Sequence, residues 1–287
     1  MKKVIDINFL QKPELKDYLA KSRDNYVVFT DFACMEIYKC NALKNLACKL
    51  KIVSQYPNQV IVLKGTREII SLTLVNNKLP QSLIDYIQTI GFLKFCEQTK
   101  SVCEDAKYLP RQVLSQILSQ VSSKELKASQ YLDEQMQSHK LIVDGIKGLA
   151  KSYEPSHLKA LRKGKELSPD FMYNMTKNIL LVTRFLFEKH PDVQTHPDFE
   201  FLKNSYVFRF ATCTHFLSLR WIKDGGIEQV APEKLRNDVV DMSYVTYATY
   251  FDGLLSLDKK LNDIYIDTLH YLHYFNSTQQ IAEPDHK

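Results

Sequence analysis

Hydrophobic and polar positions alternate between two regimes along the chain. Residues 26–31, YVVFTD, form a short β-branched and aromatic run closed by an acid, the pattern of a buried strand with a polar carboxyl end. The next segment, FACMEIYKCNALKNLACKLKIV, places Cys34, Ile37, Leu43, Leu46 and Leu50 near helical spacing, so a strand feeds a helix. After Tyr56-Pro57-Asn58, QVIVL predicts a second strand. TREIISLTL then opens another helix, with Thr66 placed to cap it and Glu68 in its first turn. Two β-to-α steps in succession predict a parallel sheet.

From about Ser82 to Arg220 the period changes to that of long amphipathic helices. Examples are QSLIDYIQTIGFLKFCEQ, PRQVLSQILSQVSSKELKASQYLDEQMQ, PDFMYNMTKNILLVTRFLFEKH and FLKNSYVFRFATCTHFLSLRWI. Asp224-Gly225-Gly226 and Ala231-Pro232 mark a break. Beyond it, EKLRNDVVDMSYVTYATYF reads as a helix and DGLLSLD as a turn and strand. The expected architecture is α/β: a parallel-sheet, Rossmann-like three-layer domain built from residues 1–81 and 225–287, interrupted by an all-helical insertion over 82–224.

Composition adds little to this picture. The 287 residues are 45% hydrophobic and 25% charged, as in folded globular proteins. No uncharged apolar run is long enough for a membrane span, and MKKVIDINFLQKPELKDYL lacks the apolar core of a secretory signal, so a cytoplasmic protein with no membrane partner is expected. Six cysteines, at 34, 40, 48, 96, 103 and 213, form no CxxC pair and read as buried thiols without a zinc or redox motif. With eight glycines the chain has no phosphate-cradling loop, and no GxSxG elbow occurs.

Charge is more informative. The net +5 is carried by one stretch, His139 to His190, which holds ten Lys or Arg against five Asp or Glu. Within it, HLKALRKGKELSP gathers Lys159, Arg162, Lys163 and Lys165, which can neutralise phosphates; a solvated helix face is the ordinary alternative. Arg184, Arg209 and Arg220 sit among aromatics and either meet a nucleic acid or pair within the fold. His270 and His273 share a helix face that is expected to pack.

Acids supply the candidate chemistry. Asp31 closes the first predicted strand, Asp258 closes LLSLD, and Glu68 starts the helix after QVIVL. In a parallel sheet, side chains at the carboxyl ends of the strands line the ligand crevice. Asp238 and Asp241 are three apart and share one helix face. Strand-end solvation or a helix dipole accounts for each acid alone. Together they repel unless cations lie between them, and oxygen donors without Cys or His select hard ions such as Mg²⁺ or Mn²⁺.

This arrangement resembles the PIN-domain nucleases and the wider PIN-like superfamily. The resemblance rests on VVFTD ending at Asp31, QVIVLKGTRE ending at Glu68, NDVVDMSYVTYA with Asp238 and Asp241, and LLSLD ending at Asp258. It implies that Asp31, Glu68, Asp241 and Asp258 are catalytic acids holding one or two Mg²⁺ or Mn²⁺ ions, with Asp238 auxiliary. Glu36 lies a turn beyond Asp31, and Ser256 or Thr30 is placed to orient a carboxylate or phosphate. The implied activity is metal-dependent endonucleolytic hydrolysis of phosphodiesters, with RNA favoured over DNA. An inactive PIN-like nucleic-acid-binding or protein-interaction module, or a DNA-directed structure-specific nuclease, is the alternative. A homo-oligomer or a regulatory protein partner is compatible with the resemblance. The helices of 82–224 fall outside it.

Overall fold

A computed structural model describes residues 1–38, 49–72, 79–105, 139–164, 168–189, 199–225 and 230–282. The chain divides into two compact units. The first comprises the described residues of Met1–Ile69, Lys78–Gln137 and Tyr250–Asp258; the second comprises those of Ile70–Asn77, Ser138–Thr249 and Lys259–Lys287. The C-terminal segment, expected to belong with the sheet as one piece, contributes only Tyr250–Asp258 to the first unit.

The first unit is α/β. Its elements run β1 (Lys2–Ile5), α1 (Pro13–Lys21), β2 (Tyr26–Phe29), α2 (Asp31–Tyr38), β3 (Val60–Val62), α3 (Thr66–Ile70), α4 (Leu79–Leu83) and α5 (Tyr86–Asp105), with β4 (Leu254–Leu255) returning much later. The four strands form one parallel sheet in the order β3-β2-β1-β4. Lys2 pairs with Tyr26, Val27 with Val60, and Val4 with Leu254. Val27, Val28 and Phe29 of β2 and all of β3 are buried, as expected where helices cover both faces of a parallel sheet. Phe92 of α5 packs on Phe29 with ring centroids 5.1 Å apart. The expected strands at 26–31, QVIVL and DGLLSLD are all present, but the central strand β1 was not among them.

One buried amide ties the other end of this sheet together. Gln59 Nε2 donates to the carbonyls of Leu19, Ser22 and Asn25 at 2.7–3.0 Å, joining the end of α1 and the entry to β2 to the entry of β3. Of these, the Ser22 carbonyl also accepts from the Asn25 N–H at 3.1 Å, so the amide reinforces the turn that leads into β2.

The second unit is helical: α6 (His139–Ser152), α7 (Pro155–Arg162), α8 (Pro169–Lys189), α9 (Phe199–Leu202), α10 (Tyr206–Lys223), α11 (Pro232–Ala248) and α12 (Lys259–Ala282). The predicted helix over FLKNSYVFRF is split because Ser205 caps α10, its hydroxyl accepting from the Phe208 N–H at 3.2 Å. The predicted helix over 110–137 lies outside the described residues. Tyr244 and Tyr247 of α11 are buried in the core, Tyr247 against Tyr206 at 5.0 Å. His270 and His273, expected on a packed face, are instead exposed, while their neighbours Tyr271 and Phe275 carry the packing. No helix among the described residues is long and apolar enough to cross a membrane.

Candidate functional site at the carboxyl edge of the sheet

The strand order defines where a site can form. From β1 the chain steps outward to β2 and β3, then returns to the opposite side of β1 as β4. The reversal therefore lies between β1 and β4, and in open α/β sheets the crevice beyond the carboxyl ends at such a point is where ligands bind. Two acids flank it: Asp6 directly follows β1, and Asp258 follows β4 by three residues.

Local chemistry fixes both. Asp6 is 7% exposed. Its Oδ1 accepts from the Asn8 N–H at 3.4 Å, capping a short 3-10 turn over Ile7–Phe9. Its Oδ2 accepts from the Ser256 hydroxyl at 2.6 Å, and Ser256 Oγ in turn accepts from the Asp258 N–H at 3.0 Å. The Leu257 N–H donates to Asn8 Oδ1 at 3.2 Å, closing a second link between the two strand ends. Gly253, which opens β4, has φ +145°, and a Cβ there would contact the Lys3 side chain at 3.6 Å. Glycine lets the backbone enter β4 in that conformation.

Burial pushes the Asp6 carboxyl above its ordinary range. The Ser256 and Asn8 hydrogen bonds oppose that shift, and the nearby Asp258 charge adds to it. Asp6 was not among the acids picked out from the sequence. The signal was the run KKVID, a short strand ending in an acid, with Asn8 two residues further on. Ser256, expected to orient a carboxylate, does so for Asp6.

Asp31 begins α2, at the carboxyl end of β2, and is committed elsewhere. Its Oδ2 accepts from the Thr66 N–H at 2.7 Å and its Oδ1 from the Thr66 hydroxyl at 2.9 Å and the Phe32 N–H at 3.0 Å. Thr66 does not cap α3 as its position suggests; Asp31 supplies the capping oxygens and Thr66 the donors. Burial raises the Asp31 pKa, and the Thr66 bonds oppose the rise. Thr30 caps α2, its hydroxyl accepting from the Ala33 N–H at 3.1 Å.

Glu68 is exposed on α3 and forms an ion pair with Lys64 at 2.9 Å. Glu36 lies half-buried on α2. Asp238 and Asp241 lie on α11 of the second unit, and Asp238, 5% exposed, is paired with Lys260. Asp241 is half-buried. The structure thus joins Asp6, Ser256 and Asp258 directly. Among the described residues, no three Asp, Glu, His or Cys side chains stand close enough together to hold a metal ion.

The arginines proposed to meet a ligand have internal partners. Arg184 pairs with Glu188 at 2.8 Å, Arg220 faces Asp263 and Asp267 at 3.4 and 3.5 Å, and Arg209 donates to the Thr249 carbonyl at 2.7 Å. Lys159, Arg162 and Lys163 are exposed at the end of α7; Lys165 lies outside the described residues.

Compared with family models, curated proteins and solved structures, the chain matches none.

Proposed function

We propose that this protein is a divalent-metal-dependent nuclease of PIN-like type that hydrolyses phosphodiester bonds in RNA. One observation carries the reading: two acids, Asp6 and Asp258, flank the point where the strand order reverses, the Ser256 hydroxyl joining the Asp6 carboxylate to the Asp258 backbone N–H, and the Asp258 charge acts on Asp6. An ordinary solvated strand end has no need of two like charges brought together. A pair of oxygen-donor carboxylates at a crevice suits a hard cation such as Mg²⁺ or Mn²⁺.

Asp6 and Asp258 are the residues that would hold such an ion, with Asp31 and Glu68 of the same unit retained as candidates. A divalent cation, when bound, polarises a phosphodiester and offsets its negative charge. The chain's own residues have separate tasks. Ser256 fixes the rotamer of Asp6 and keeps one lone pair of its Oδ2 occupied. Asp6, raised by burial, keeps its proton to higher pH than a solvated aspartate does. The Asp258 N–H, bonded to Ser256 Oγ, holds that hydroxyl pointed at Asp6.

A second reading draws on the acids that have internal partners. Asp31 caps α3, Glu68 pairs with Lys64, and Asp238 pairs with Lys260. A catalytically inactive nucleic-acid-binding or protein-interaction module would use its acids in this way. Incubation of a mixed RNA pool, with single- and double-stranded DNA alongside, in Mn²⁺, Mg²⁺ or chelator decides between the two. The nuclease reading requires metal-dependent cleavage lost in Asp258→Asn and in Asp6→Asn. Cleavage confined to DNA would reassign the substrate. No cleavage of any pool, with no metal binding by calorimetry, leaves the binding module.

A further inference from the structure

The geometry points to a phosphate-binding face on α7 of the helical unit, one that grips the backbone of single-stranded RNA independently of its sequence. The choice of RNA as the polyanion rests on the nuclease reading; the face itself does not. α7 is seated from one side. The His157 ring meets Phe171 of α8 edge-on at 5.7 Å, and Tyr153, just before the helix, stacks on the same Phe171 at 4.7 Å. Leu158, Ala160 and Leu161 are half-buried.

At about 100° per residue, Lys159, Arg162 and Lys163 fall within roughly 60° of the direction opposite His157. All three are exposed. Their spacing of three and four places them side by side, where like charges repel. Among the described residues, no carboxylate pairs with any of them, whereas Arg184, Arg220, Lys64 and Lys260 all have one. Gly164 stops the helix immediately beyond, at φ +62°, its N–H bonded to the Leu161 carbonyl at 3.1 Å. The three cations therefore stand at a helix end, where the dipole tolerates them but supplies no counter-charge of the kind an ion pair gives.

The absence of apolar residues selects the partner. Along α7, no large hydrophobic side chain is exposed. A helix lying on a membrane presents apolar residues beside its cations, and a protein interface has an apolar core within its rim. A purely cationic face suits a phosphate chain, whose affinity comes from counterion release.

The test is anisotropy of a fluorescein-labelled oligouridylate bound to the full chain in EDTA, titrated with NaCl. The triple variant Lys159→Gln, Arg162→Gln, Lys163→Gln is compared with Lys16→Gln, Lys21→Gln, Lys51→Gln, which removes the same charge from exposed positions of the first unit. Each lost phosphate contact on a single strand lowers the slope of log affinity against log salt by about 0.7, so the α7 variant is expected to lose about 2 and the control little. Equal slopes in the two variants overturn the proposal, as does binding to phosphatidylserine vesicles without binding to oligouridylate. Should the triple variant melt early by circular dichroism, the three single variants, each expected to lose about 0.7 of slope, replace it. Because binding is read in EDTA, it requires no cleavage. RNA binding without Mn²⁺-dependent cleavage removes the nuclease reading alone, and cleavage with unchanged salt slope removes this face alone.

Discussion

Ser256 donates its hydroxyl to Asp6 at 2.6 Å, although the two residues stand 250 positions apart in the chain. This bond closes the end of β1 against the end of β4, at the place where a parallel sheet opens a crevice. Removing it separates a structural from a chemical role. Ser256→Ala leaves a buried Asp6 oxygen and the Asp258 N–H without their partner, a loss on the order of 1–3 kcal/mol in stability. It also removes a bond that favours ionised Asp6, so the Asp6 pKa rises further. In the nuclease reading, the acidic limb of the cleavage pH profile moves to higher pH in Ser256→Ala. A fall in rate with an unmoved limb would mean that Asp6 takes no part in the chemistry.

Asp31 and Asp258 respond to neutralisation in opposite directions. Asp31 accepts three hydrogen bonds from two N–H groups and a hydroxyl, and either orientation of an asparagine sets an NH₂ against one of those N–H groups. Asp31→Asn is therefore expected to destabilise by about 1–2 kcal/mol. Asp258→Asn keeps its backbone N–H bond to Ser256 and relieves the charge felt by Asp6, so it holds or raises the melting temperature in chelator. Parallel thermal melts check both. Equal destabilisation would make Asp258 a structural acid as well.

Part of this was legible in the sequence and part was not, for identifiable reasons. β2 and β3 announce themselves because parallel strands covered on both faces are continuous apolar runs, as in YVVF and VIV. β1 does not: only Val4 and Ile5 of KKVI are buried, and its place in the sheet is set by pairing with strands distant in sequence. With β1 unseen, Asp6 had no strand end to close. The strand-end acids Asp31 and Asp258 were legible as such. That Asp31 caps α3 was not, because its partner Thr66 lies 35 positions away. The Lys64–Glu68 pair at i,i+4 could be read from spacing alone.

His215 sets a pH dependence for the helical unit. Its Nε2 is 2.8 Å from the Tyr153 hydroxyl inside the core, and burial holds its pKa down to about 3. Folded His215 stays neutral where the unfolded residue, near 6.5, takes up a proton. The unfolded state thus binds more protons between about 6.5 and 3, and stability falls as pH is lowered through that window, by up to about 1.4 kcal/mol per pH unit from this residue. Asp6 and Asp31, with raised pKa values, act in the opposite sense above their unfolded value. The comparison is therefore between wild type and His215→Phe in urea melts from neutral to mildly acidic pH. The variant is less stable at neutral pH, where Tyr153 loses its partner, but its stability falls less steeply with acid. Parallel curves would mean that His215 titrates normally.

Metal binding is expected to register as stability before any activity is found. A ligand that binds only the folded chain adds about 2.7 kcal/mol at a hundred times its dissociation constant. Mn²⁺ or Mg²⁺ should raise the melting temperature of the wild type, and Asp258→Asn should abolish the rise because it removes one of the two carboxylates at the crevice. The sign of the pH dependence follows from Asp6. A cation must bind its ionised form, and burial has raised its pKa, so the metal-induced shift shrinks with acidification at a higher pH than for a solvated aspartate. In Asp6→Asn that dependence on Asp6 ionisation disappears along with most of the affinity. A metal shift unaltered in both variants would place the cation away from the β1–β4 crevice and detach Asp6, Ser256 and Asp258 from the nuclease reading.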